Sequence, residues 1–238
     1  MRFTATLAVL AGLLASGGTP AVKSPATPTV DEILERNLAA LGGRERFRAV
    51  RTVRFEATQQ AGGHSEPTTV YWKRPNWLRI EVPEEGLIKA MAFDGAAAWT
   101  TYPQLPGFEA EPLEDSVRDT LRDQADLLEG PTFDYAAKGH HVELVGKEKV
   151  GTTETWRVLL TTAQGELRTY WFDCTSFLEI REERTQSFEG KEFTTVSDLS
   201  DFQAAKGILF AHRVESRLRA AGDGPDGSGD PSVFTIQK

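Results

Sequence analysis

The sequence predicts a mainly β protein of the α+β kind, a single curved antiparallel sheet of about eleven strands forming an incomplete barrel with a helical lid. Three observations carry this. Apolar and polar residues alternate with period two over most of the chain beyond Arg51. The strand candidates are joined by hairpin-length turn signals such as Gly62-Gly63, Pro75-Asn76, Glu85-Gly86 and Asp94-Gly95. The helices supply only about forty residues, too few to cover so large an apolar face lying flat, so the sheet must curl on itself.

In chain order, Thr29-Val30-Asp31-Glu32 is a capping-box pattern, followed by Val30, Ile33, Leu34, Leu38 and Leu41 at helical spacing and stopped by Gly42-Gly43. A short basic turn over 44–50 leads to strand candidates at 51–60, 68–74, 77–82, 87–93 and 96–102. In the first of these Val53, Phe55 and Ala57 face one way and Arg54, Glu56 and Thr58 the other. A second helix is expected from Pro112 at its first turn, with Leu113, Val117, Leu121, Ala125 and Leu128 as its apolar stripe, ending at Gly130-Pro131. Strands follow at 140–148, 153–162, 167–173, 177–188, 191–202, 208–220 and 232–237, all read as one meander.

The 238 residues are 39% hydrophobic and 26% charged, ordinary for a globular chain. Lys plus Arg number 27 against 35 Asp plus Glu, and the net charge of -8 gives no basic surface for nucleic acid. Residues 1–21 read as a secretory signal: Arg2 is the only charge, an apolar run follows, and small residues close it at Ala15-Ser16-Gly17 or Thr19-Pro20-Ala21. A Pro-rich tether, 22–28, then precedes one domain, 29–238. The expectation is an exported, periplasmic protein, not lipid-anchored because no cysteine lies near either cleavage site.

No catalytic constellation is legible. His140 and His141 are strand neighbours and point to opposite faces, so they cannot chelate one ion together. Asp223, Asp226 and Asp230 lack the spacing and closing Glu of a calcium loop. Cys174, the only cysteine, excludes an intrachain disulfide and has no Cys or His nearby in sequence to make it a nucleophile. The reading is therefore no enzyme, no metal and no cofactor. The aromatic residues instead suggest a pocket for a long apolar ligand.

Two motifs sharpen this. Val70-Tyr71-Trp72-Lys73-Arg74-Pro75-Asn76-Trp77-Leu78-Arg79, then Phe93-Asp94-Gly95 through Trp99 to Pro103, resemble in order and spacing the strand-KRPN-strand and DG-xxx-W-xxx-P signatures of LolA, the periplasmic outer-membrane lipoprotein carrier family. The resemblance covers residues 68 to 103 in motif and most of the chain in topology. It implies a half-barrel whose apolar cleft carries lipid or lipoprotein acyl chains between membrane-anchored donor and acceptor proteins. By motif, Arg74 matches the arginine that ties sheet to lid in the closed form, and Trp99 the tryptophan of the DG motif. Strand parity with these motifs places Val70, Trp72, Leu78, Ile80, Trp99, Val158, Tyr170, Phe172 and Phe210 in the cleft. The alternative is a periplasmic lipid-sensing or protein-interaction module with the same fold and no transport role.

Overall fold

The structure is a computed structural model and describes residues 27–126, 130–188, 191–219 and 224–237. The expected signal, 1–21, most of the tether, 22–28, Leu128 and Asp223 lie outside the described residues. Three helices, α1 (Val30–Ala40), α2 (Arg44–Ala49) and α3 (Asp115–Ala125), accompany one antiparallel sheet among the described residues. Its thirteen strands are β1 (Thr52–Ala61), β2 (His64–Lys73), β3 (Trp77–Glu84), β4 (Leu87–Phe93), β5 (Ala98–Thr101), β6 (Glu111–Pro112), β7 (His141–Val150), β8 (Thr153–Thr161), β9 (Leu167–Asp173), β10 (Glu179–Phe188), β11 (Lys191–Ala205), β12 (Ile208–Arg219) and β13 (Ser228–Ile236).

The strand order is β6-β5-β4-β3-β2-β1-β13-β12-β11-β10-β9-β8-β7. This corrects the single meander. Two meanders, β1 to β6 and β7 to β13, are joined by β1 pairing β13 from Ala57↔Ile236 to Gln60↔Val233. The sheet is open, with β6 and β7 as its edges, and its fold class is that of an incomplete barrel.

Two further expectations change. Residues 44–49 form α2 rather than a turn. Pro112 lies not in a helix but in the two-residue β6, opposite Trp99, where an edge position tolerates its missing N–H. The next amide, Leu113 N, donates to Ala98 O at 2.9 Å, and α3 begins only at Asp115.

The capping box forms: Glu32 N donates to Thr29 Oγ1 at 3.2 Å and Thr29 N to Glu32 Oε2 at 2.8 Å. At the other end of α1, Gly42 has φ +127, and a Cβ there would stand 2.4 Å from Gly207 O in the β11–β12 turn. Only glycine allows that approach, which Leu209 N reinforces by donating to Leu41 O at 2.8 Å. Helix α1 is thereby held to the sheet at its C-terminal end.

Each helix covers one part of the concave face. Ile33 and Leu34 of α1 pack on Val142, Val158, Leu160 and Phe172 of β7 to β9. Leu121 and Ala125 of α3 pack on Val70, Leu78, Phe93 and Ala98 of β2 to β5. Ile33 is fully buried, so Ile33→Ala would cost about 3 kcal/mol in transfer and cavity terms. Between these two roofs the face stays open.

Candidate ligand cavity

The open region is a cavity of about 880 Å³. Its floor is the seam of the two meanders. Val53 and Phe55 of β1 meet Phe234 and Ile236 of β13, with Phe210 and Val214 of β12 and Leu199 of β11 continuing the surface. The register Phe234↔Val214↔Leu199 puts these three side chains on one face. Phe55 and Phe234 touch edge-on, with centroids 6.1 Å apart. Leu34 and Leu38 of α1, Leu41 at its C-cap and Phe47 of α2 form one wall, and the loop carrying Phe133 and Tyr135 another.

That loop is pinned by charge. Arg44 donates to Asp134 and, at 2.5 Å, to Glu35 of α1, while Arg48 donates to Asp134 at 2.9 Å. Burial pushes the Asp134 carboxyl up, but the bonds from Arg48 and Arg44 outweigh it and hold the group below its usual range. The Arg44 guanidinium also lies over the Phe133 ring, 4.7 Å from its centroid.

Strand β10 adds a carboxyl to the lining. A register shift separates Glu179, opposite Phe172, from Arg181, opposite Trp171, so Ile180 is an extra residue in β10. Three residues apart on a regular strand, Glu179 and Glu182 would face opposite ways. The bulge turns both onto the concave face, Glu182 opposite Tyr170. Glu179 is half-buried and borders the cavity. Burial first, and then the Glu182 carboxylate, hold it well above the usual carboxylate range. Glu182 is itself raised by burial, partly offset by Arg168, whose Nη1 lies 4.0 Å away.

Most residues expected in the cleft are placed elsewhere. Val70, Leu78 and Ile80 lie under α3, and Val158, Tyr170 and Phe172 under α1, because those strands are the ones the helices roof. Trp72 is buried between the roofs with Leu38, Phe47, Phe133 and Ile208, and its Nε1 donates to Ala125 O at the end of α3. Trp99 pairs Ala92 and Pro112 on the face opposite Ala98, away from the cleft. Of the nine, Phe210 alone lines the cavity. Of the residues missed, Val53 and Phe55 carried a signal, the alternation of β1, but parity does not say which strands a helix covers.

The two motifs build turns rather than a site. Asp94 Oδ1 accepts from Ala96 N at 3.0 Å and Ala97 N at 2.9 Å, and these bonds lower its pKa. Gly95, φ +99, packs so closely on Asn76 that a Cβ would stand 2.7 Å from Asn76 Oδ1, so the KRPN and DG turns interlock. Arg74 reaches α2, its Nε donating to Val50 O at 2.8 Å and its Nη2 to Phe47 O at 2.9 Å. Elsewhere, Cys174 packs against the α1 core and burial pushes its thiol up. His140 Nδ1 accepts from Ala163 N at 3.1 Å, and among the described residues no three of His, Cys, Asp and Glu gather closely enough to hold a metal ion.

The architecture, an open antiparallel sheet with helices over its concave face, is LolA-like. A LolA superfamily protein from Nitrosomonas europaea superposes with a TM-score of 0.57 at 17% identity, over 89% of this chain and 93% of that one. A DUF1329 family protein from Desulfovibrio piger superposes with a TM-score of 0.56 at 12% identity, over 89% and 92%. At such identities the likeness is one of fold. No protein-family model and no curated protein matches the sequence.

Proposed function

We propose that the protein is a periplasmic carrier that holds an acyl chain of a lipid or lipoprotein in the cavity between α1, α2 and the β1–β13 seam. The observation that carries this is the cavity itself: about 880 Å³, mostly apolar on its floor and walls, left open between two helix-covered regions. That volume falls in the range of small-molecule sites. At ~0.8 kcal/mol per methylene, a sixteen-carbon chain gains on the order of 12 kcal/mol before ordering costs, enough for capture but not for irreversible holding. The N-terminal apolar run supports export, and the likeness to a LolA superfamily protein supports the cleft as the working part. The carrier role needs no catalytic step and no cofactor; donor and acceptor would be membrane-anchored proteins.

The test is titration of the purified protein with a fluorescent fatty-acyl probe, beside mass spectrometry of lipid that copurifies. Saturable binding at one site and a copurifying lipid are expected. Binding no stronger than to an unrelated soluble protein would overturn the reading, and capture of a partner protein by the empty form alone would favour a sensor.

A further inference from the structure

We propose, building on the acyl-chain reading, that the cavity takes its chain with the head group against Glu179, and that this head donates hydrogen bonds and carries no negative charge, an amine cation binding tightest. The first ground is the bulge at Ile180, which puts an ionisable side chain on an apolar wall where regular pairing would have turned Glu179 or Glu182 outward. The second is that Glu179 has no hydrogen-bond or ion-pair partner among the described residues. The other acids bordering the cavity are all engaged: Asp31 accepts from Tyr135 Oη at 2.7 Å, and Glu35 and Asp134 accept from Arg44.

The sign of the head follows from the bases. The bases bordering the cavity are Arg44, Arg54 and His212, and both arginines are committed to carboxylates, Arg54 to Glu56 at 2.7 Å. A carboxylate or phosphate head would therefore meet Glu179 with no free guanidinium to answer it. An ammonium, with three donors, would instead favour the ionised Glu179 carboxylate and form a charge-assisted bond in a place of low polarity.

The experiment compares dodecylamine, dodecanol and dodecanoate for displacement of an apolar fluorescent probe at neutral pH, in the native protein and in Glu179→Gln. The expected order is amine, alcohol, carboxylate, with amine over carboxylate by about tenfold or more. In Glu179→Gln the amine-to-carboxylate ratio falls towards one. If the native protein binds amine and carboxylate alike, or the preference survives in Glu179→Gln, the head-group inference is overturned while dodecanol binding still upholds the acyl-chain reading. If none of the three displaces the probe, that reading fails and this inference with it.

Discussion

Asp123 of α3 and Arg168 of β9 meet at 3.3 Å across the concave face, and Arg184 of β10 donates to the same carboxylate oxygen. A helix whose apolar side rests on β2 to β5 is thus tied at its C-terminal end to strands of the other meander. The three side chains are mostly buried, so removing the acid leaves two guanidiniums short of a partner. Asp123→Ala should cost about 3 kcal/mol, near the lower end for breaking a buried pair, with Asp123→Asn less damaging. Urea unfolding of both variants measures this. A loss below about 1 kcal/mol would put the pair with ordinary surface ion pairs.

Arg74 acts through α2. Its bonds to Val50 O and Phe47 O hold the last turn of that helix, and Phe47 packs on Phe133, 6.5 Å between centroids, beside the cavity. Arg74→Leu should lower stability by about 1 to 3 kcal/mol and speed release of a bound acyl probe. Arg74→Lys should restore little, since one ammonium cannot reproduce the planar fork. The paired readout is thermal unfolding with stopped-flow release. Unchanged release in Arg74→Leu would leave this arginine a structural brace and no latch.

Glu179 gives a pH dependence of known sign. Its carboxyl holds a proton to higher pH in the folded chain than in the unfolded one, because burial and Glu182 disfavour the charge. The native state then binds more protons, so the Glu179 contribution to stability is full below the unfolded carboxylate pKa and declines as pH rises towards the folded value. Unfolding free energies at mildly acidic and mildly alkaline pH should differ less in Glu179→Gln than in the native chain. An unaltered pH profile would show that Glu179 is already ionised in the empty protein.

Val214 lies on the cavity floor between Leu199 and Phe234. Val214→Trp fills open space instead of overpacking a core, so stability should hold or rise by about 1 kcal/mol while acyl-probe affinity falls by about tenfold or more. Probe binding and thermal unfolding on the same sample separate the two effects. Undiminished binding would move the acyl chain to another part of the molecule.

The parts of the fold with a local cause were legible. Leu87–Phe93 and Leu167–Asp173 stand where alternation and flanking turns place them, and Thr29 caps α1 as its pattern requires. What depends on distant residues was not. Nothing near Ala57 announces Ile236 as its partner, so two meanders read as one. The same blindness misplaced the cleft, because alternation shows that Val70 and Phe55 share a face but not that α3 covers one of them. Glu179 and Glu182 were hidden for a third reason: an inserted residue breaks the parity by which a face is assigned.

The β1–β13 seam has a consequence for the order of assembly. Strand β1 pairs with its sequence neighbour β2, yet its other edge waits for residues 233–236. Until these arrive the molecule is two separate half-sheets, one presenting a bare edge with Val53, Phe55 and Ala57 beside it. Unpaired apolar edges are where newborn chains stick to one another. A chain stopped before Ser228 should therefore aggregate, even with nearly every hairpin in place. The closing contact thus joins segments far apart in sequence, and each molecule stays vulnerable until they meet.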